Sequence, residues 1–202
     1  KKHFLKNKFF GITEYLAHKT KKINNEVMLI YNKSLSVCPI TTHIPLKSVH
    51  KKISTSMIVY KIKTINQFYK NKFNKIPRFA VTGLNPHCES SFNNSEEDKI
   101  IKPAIKIAQK KSLKVKGPFS ADTLFIKENL KKFDVIIGMY HDQILAPLKT
   151  LFGFNAINLT LGLPFIRVSP DHGPNKEMLG KNISDPQSLI SAINFLKKLD
   201  VN

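Results

Sequence analysis

Asp134-Val135-Ile136-Ile137-Gly138-Met139-Tyr140 is an uninterrupted apolar run, and His141-Asp142-Gln143 follows it at once. A run of this length without polar alternation is what a parallel strand covered on both faces carries. The abrupt change to polar side chains marks where that strand leaves the sheet. Residues 78–82, 113–116 and 156–161 read as further strands, and 26–31 and 35–40 as a hairpin around the turn Asn32-Lys33-Ser34. Between them lie stretches with helical spacing. Residues 48–73 place Val49, Ile53, Met57, Ile58, Ile62, Ile65, Phe68 and Tyr69 on one face, predicting a long helix that ends before Pro77, with its lysines facing water. Residues 95–111 start on Ser95 as N-cap, with Glu96, Glu97 and Asp98 in the first turn. Further helices are expected over 13–22, from Ser120 or Asp122 to 132, over 145–151, and from about 185, with Pro186 near its first position, to 198. Residues 162–173 read as a stretch punctuated by glycine and proline. Strands alternating with helices predict an α/β sheet.

With 202 residues and 42% hydrophobic content the chain can bury a substantial core. Its formal charge of +19 does not point to nucleic acid: of 33 basic residues only Arg78 and Arg167 are arginines, and the lysines are scattered among Asn and Ile. Solvated lysines on helix faces account for the excess, so no nucleic-acid partner is expected. Cys38 and Cys88 lie far apart, without a CxxC pattern, and read as free thiols in a reducing compartment. No apolar run approaches the roughly 18 residues of a spanning helix, and the first ten residues lack the apolar core of a secretory signal. The expectation is a cytoplasmic protein without a membrane partner, whose sequence reads as starting within a longer one.

Open α/β sheets bind ligands outside the carboxyl ends of their strands. Two histidines stand at such positions, His43 after residues 36–42 and His141 after residues 134–140. An imidazole offers one nitrogen to a divalent ion while a neighbour such as Asp142 fixes the other. Spacing alone favours the plainer reading, in which each is a hydrogen-bonded residue at a strand end.

The surrounding strings carry more. TTHIPL (41–46), VTGLNPH (81–87), SEEDKIIKPAI (95–105), GPFSADTLF (117–125), MYHDQ (139–143) and INLTLGLPFIRVSPDHG (157–173) cover most of the chain in order. Together they resemble the 4-hydroxythreonine-4-phosphate dehydrogenase family. GITEYL (11–16) resembles a further landmark, with Ile12 where many members carry His.

The resemblance implies a layered fold like that of isocitrate and isopropylmalate dehydrogenases, with this chain as the C-terminal portion of a two-lobed enzyme and no evident internal boundary. It implies a homodimer whose active site lies at the subunit interface, holding a divalent ion (Zn, Co or Mg) on three histidines. His43 and His141 match two of them, and the third is expected upstream of the first residues, with His3 read as a surface histidine. Lys149, Asn158 and Arg167 match substrate-binding positions, and lysine and arginine suit the phosphate and carboxylate of a phosphorylated hydroxy-amino acid. His87 and His172 read as loop-organising residues, and Asn85 and Asp171 as turn or cap residues beside the cofactor cleft. The loop after His87 lacks the family's usual glycine. No GxGxxG is present, so NAD or NADP would be held otherwise than in a dinucleotide fold.

The implied reaction is oxidation of the substrate's C3 alcohol, then loss of CO2 from the β-keto acid, within pyridoxal phosphate biosynthesis. Asp142 and a lysine both remain open as the general base. The alternatives are a paralogous dehydrogenase of erythronate or threonate phosphate, a basic nucleic-acid-binding domain, or a fragment inactive by itself.

Overall fold

Among the residues described in the computed structural model (9, 11–88, 94–172, 178 and 180–199), seven strands form one sheet. They are β1 (Val27–Tyr31), β2 (Ser36–Pro39), β3 (Phe79–Thr82), β4 (Val115–Phe119), β5 (Val135–Gly138), β6 (Ile157–Leu161) and β7 (Arg167–Pro170). The order across the sheet is β4-β3-β5-β2-β1-β6-β7. β4, β3, β5 and β2 run parallel, whereas β1 runs antiparallel to both β2 and β6, and β7 returns antiparallel beside β6. One reversed strand therefore separates β2 from β6, and both point their carboxyl ends towards the same edge.

Eight α-helices accompany the sheet among the described residues: α1 (Ile12–Lys19), α2 (Val49–Lys52), α3 (Thr55–Phe73), α4 (Lys102–Lys110), α5 (Ala121–Leu124), α6 (Lys127–Leu130), α7 (His141–Phe152) and α8 (Gln187–Leu199). Successive strand residues serve opposite faces, as their alternating side chains require. Val135 and Ile137 join the core under α3, α4 and α8, while Ile136 joins a second core with Ile144, Leu145 and Leu148 of α7. No helix of the described residues is long and apolar enough to cross a membrane.

Several boundaries differ from expectation, each for a local reason. The helix expected over 48–73 is broken at Ile53, which is extended, and restarts where Ser54 Oγ accepts the Met57 N–H at 3.3 Å as an N-cap. Lys61 is the exception to that helix's water-facing lysines: 8% exposed, it donates to the Pro39 and Ile40 carbonyls at 3.0 Å each and ties the end of β2 to α3. The helix expected over 95–111 opens with a π-helical turn, Glu97–Ile101, before α4, whose second residue Pro103 has no N–H to donate. The single helix expected up to 132 is two short ones, separated at Phe125 and Ile126, of which Ile126 is extended. β7 occupies part of the stretch read as a loop, since no apolar run announces it. Residues 1–8, and with them His3, lie outside the described residues.

Candidate active site

The parallel pairing of β2 with β5 brings the two strand-end histidines together. Pro39 pairs with Gly138, and beyond the ladder Ile40 N donates to Gly138 O at 2.8 Å while the Thr41 hydroxyl donates to Met139 O at 2.8 Å. The chains then diverge, and the rings of His43 and His141 lie with centroids 6.2 Å apart. His141 is the first residue of α7, so that helix starts at the polar cluster and not at residue 145 as expected.

Each imidazole has one nitrogen against a carboxylate. His141 Nδ1 lies 2.6 Å from Asp142 Oδ1, as the sequence had led us to expect, and His43 Nδ1 lies 3.4 Å from Glu14 Oε1. A carboxylate against Nδ1 is the usual way in which a ligating imidazole is oriented. The hydrogen bond with His43 holds the Glu14 carboxyl below its usual range. Glu14 is a residue that the reading of the sequence missed, because nothing local in GITEYL announces a partner 29 positions away.

Arg167 opens β7 directly opposite Thr160 near the end of β6, on the edge that carries the histidines. Its Nη1 donates to Thr160 Oγ1 at 3.3 Å and to Thr13 Oγ1 at 3.4 Å. Burial lowers its pKa, and the charge of Glu14 acts in the opposite direction. Lys149, two turns into α7, forms an ion pair of 2.7 Å with Asp171 and also donates to the Asp171 carbonyl. Asp171 is 7% exposed, and its N–H donates to Ser188 Oγ at 2.9 Å. Burial raises its carboxyl pKa, opposed by Lys149 and by the nearby His141 and His172. Charge thus runs from Arg167 through Glu14 to His43 and His141, and on through Asp171 to Lys149. Asn158, two residues before Thr160 on β6, keeps a buried Oδ1 without a hydrogen-bond partner among the described residues.

β3, the other parallel neighbour of β5, releases its loop at the same edge. Glu97, fully buried, accepts the Leu84 and Asn85 N–H groups at 2.7 and 2.8 Å and the Asn85 side-chain amide at 2.9 Å. The bonds that organise this loop therefore run through Asn85 and Glu97. His87 is exposed, close enough to Asp122 to lower its pKa, and has φ of 57°, a conformation that costs a non-glycine residue free energy. Among the described residues no three His, Cys, Asp or Glu side chains stand together as a metal cluster. A cleft of about 1200 Å³ lies at the opposite edge of the sheet against Tyr31, Phe73 and α8, away from the histidines.

Comparison with known proteins gives these features a context. A 4-hydroxythreonine-4-phosphate dehydrogenase from Sulfurihydrogenibium sp. (strain YO3AOP1) is 44% identical over 189 residues, which are 93% of this chain and 58% of that protein. A crystal structure of a 4-hydroxythreonine-4-phosphate dehydrogenase from Klebsiella pneumoniae superposes with a TM-score of 0.81 at 33% identity, covering 98% of this chain and 60% of the other. A β-decarboxylating dehydrogenase from Thermococcus kodakarensis, 14% identical with a TM-score of 0.53 and with 92% of this chain and 60% of the other covered, shares the fold, as expected of a layered dehydrogenase. The chain spans somewhat more than half the length of the curated relatives it matches. The sequence model of the family described as "Pyridoxal phosphate biosynthetic protein PdxA" matches residues 1–196, and the chain belongs to that family.

Proposed function

We propose that this chain forms the C-terminal portion of an NAD(P)-dependent dehydrogenase of 4-hydroxythreonine 4-phosphate in pyridoxal phosphate biosynthesis. The C3 alcohol would be oxidised to a β-keto acid, which loses CO2 to give 3-amino-2-oxopropyl phosphate. The observation that carries this reading is the His43–His141 pair, 6.2 Å apart, each ring held by a carboxylate and the pair flanked by the cations Arg167 and Lys149.

The two imidazoles fit a divalent ion as part of its ligand set: each has Nδ1 against a carboxylate, the arrangement that orients a ligating histidine. When bound, such an ion supplies Lewis-acid stabilisation of an alcohol oxygen as it loses its proton, and of the enolate formed as CO2 departs. A third donor is required. The family resemblance places it ahead of the first residue of this chain, and among the described residues no three His, Cys, Asp or Glu side chains stand together as a metal cluster. The described residues hold no glycine-rich turn of the dinucleotide-fold kind, so NAD or NADP is proposed from family membership. What this chain's own residues do is bind and orient.

Arg167, with Lys149 and Asn158, would hold the phosphate and carboxylate. The Asn158 Oδ1, buried and unpartnered among the described residues, is suited to accept a substrate N–H or O–H. Lys149 is fixed by its ion pair with Asp171, so its ammonium would be held in one place beside the substrate. Ile12, Leu46 and Phe165, all exposed, stand on the segments that also carry Glu14, His43 and Arg167. Apolar side chains around a polar site support a covering second subunit, as a homodimer with an interfacial site requires.

The test is turnover by the purified protein spanning its relatives' full length, supplied with Zn, Co or Mg. NADH or NADPH should form on 4-hydroxythreonine 4-phosphate. Formation on erythronate or threonate phosphate alone would replace this substrate with the paralogous one.

A further inference from the structure

We propose that Lys61 is a positioning residue of this site: its buried ammonium clasps the Pro39 and Ile40 carbonyls where β2 ends, and so sets the direction in which the chain leaves the sheet to present His43. The proposal rests on the function proposed above, in which His43 is a ligand of a divalent ion, and deepens it.

Lys61 lies within α3 on the face that packs against the sheet, where its neighbours Ile58, Ile62 and Ile65 are fully buried. Its Nζ donates to Pro39 O and to Ile40 O, each at 3.0 Å. Both partners are neutral carbonyls. An ammonium withdrawn from water without a carboxylate beside it is costly, and a methionine would fill similar space without that cost. Packing alone therefore does not account for a lysine here.

The backbone at this point explains what the ammonium does. In a regular strand successive N–H groups point to opposite sides. Here two in a row point to β5: Ile40 N donates to Gly138 O at 2.8 Å and Thr41 N to Met139 O at 3.2 Å. The carbonyls of the same two peptide groups, Pro39 O and Ile40 O, consequently turn away from β5, and both end on Lys61. Each peptide group is thus held at both ends, by β5 at its N–H and by Lys61 at its C=O. This bend is the last fixed geometry before the segment that carries His43, whose ring lies 6.2 Å from that of His141. Pro39 and Ile40 are buried, so without the ammonium their carbonyls would lack a donor. Rotation of the two peptide groups back towards regular strand geometry would relieve that cost and swing residues 41–43 away from His141.

The experiment uses the protein spanning its relatives' full length and compares wild type with Lys61→Met, Lys61→Gln and Ile62→Val. Co(II) affinity is read by absorption titration, amide hydrogen exchange by NMR of the metal-free protein, and folding by thermal melting. Lys61→Met keeps the apolar stem and loses the ammonium. It should weaken Co(II) by at least about 10-fold, the scale of losing a group that orients a ligand. Exchange of the Ile40 and Thr41 amides should quicken, while that of Ser36, bonded to Asp134 O at the other end of β2, stays protected. Ile62→Val loosens the same helix without touching the carbonyls. It should lower the melting temperature yet leave Co(II) affinity within about 3-fold of wild type. Lys61→Gln, with N–H donors on a shorter stem, carries the test if Lys61→Met does not fold, and should weaken Co(II) by more than about 3-fold. Unchanged Co(II) affinity in a folded Lys61 variant, or an equal loss in Ile62→Val, would overturn the assignment. A wild type that binds no Co(II) would instead remove the metal site and the proposed function with it, whatever the variants do.

Discussion

Gln143, in the first turn of α7, is hydrogen-bonded to Thr82 at the end of β3: its Oε1 accepts the threonine hydroxyl at 2.9 Å. The same oxygen accepts the Met139 N–H at 2.7 Å, and the amide nitrogen donates to Gly83 O at 2.7 Å. One side chain thereby fastens the ends of β3 and β5, from which His87 and His141 depart. Gln143→Leu is expected to lower stability by about 2–3 kcal/mol, the cost of leaving partly buried partners unsatisfied, and urea denaturation would measure it. A change below about 0.5 kcal/mol, the level of an ordinary surface substitution, would show that this clamp is dispensable.

Asp134 ties the start of β5 to the segment before β3, through Lys75 at 2.8 Å and the Arg78 side chain at 3.1 Å. Burial alone would raise its carboxyl pKa, but Arg78 and Lys75 outweigh it and hold the value at about 2, below the ordinary 3.8. Because the folded pKa is the lower one, the unfolded chain binds the proton first as pH falls. The stabilisation is complete above about pH 4 and is lost as pH drops towards 2. Thermal melting of wild type and Asp134→Asn from pH 7 to pH 2 should show a gap that narrows over that interval. A gap independent of pH would contradict the assignment.

The histidines can be tested without turnover. Substituting His43 or His141 with Ala should weaken Co(II) binding by more than about 100-fold, beyond the range typical for outer partners alone. His87→Ala, a change in an exposed loop residue, should leave Co(II) affinity unchanged. A loss comparable to that of the His43 or His141 variants would instead bring His87 into the ligand set.

Gly162 has φ of 80°, and a Cβ there would lie 1.9 Å from the Asn25 carbonyl oxygen, the atom that also accepts the Tyr60 hydroxyl at 3.0 Å. Both backbone conformation and space exclude a side chain. Gly162→Ala should therefore cost more than about 3 kcal/mol, read as loss of soluble folded protein or a large drop in the melting temperature. A variant that melts within a degree or two of wild type would refute this.

How far the sequence could be read depended on the range of the interactions. Residues 134–140 and the apolar spacing of 55–73 yielded a strand and a helix because periodicity is local. The break at Ile53 turned on a single N-cap serine, and β7 had no apolar run because all four of its residues are only half-buried. Lys61 looked like one solvated lysine among many, since only its backbone partners in β2 distinguish it. At the site, both strand-end histidines were legible from their position after apolar runs. Glu14 was not, nor was Thr13, whose contact with Arg167 spans 154 positions. Asp171 was read as a turn residue, whereas it is the counter-ion of Lys149.

The five paired rungs from Val27–Leu161 to Tyr31–Ile157 act as a gauge for the whole site. Because β1 stands between β2 and β6, the distance from the imidazoles to the guanidinium is set by that ladder, not by any direct link between them. Sliding β6 by two residues would keep every apolar side chain on its proper face yet carry Arg167 along the strand axis by about 7 Å. The close approach of Gly162 to the Asn25 carbonyl resists such a slide, and with it the loss of recognition of any ligand spanning both charges.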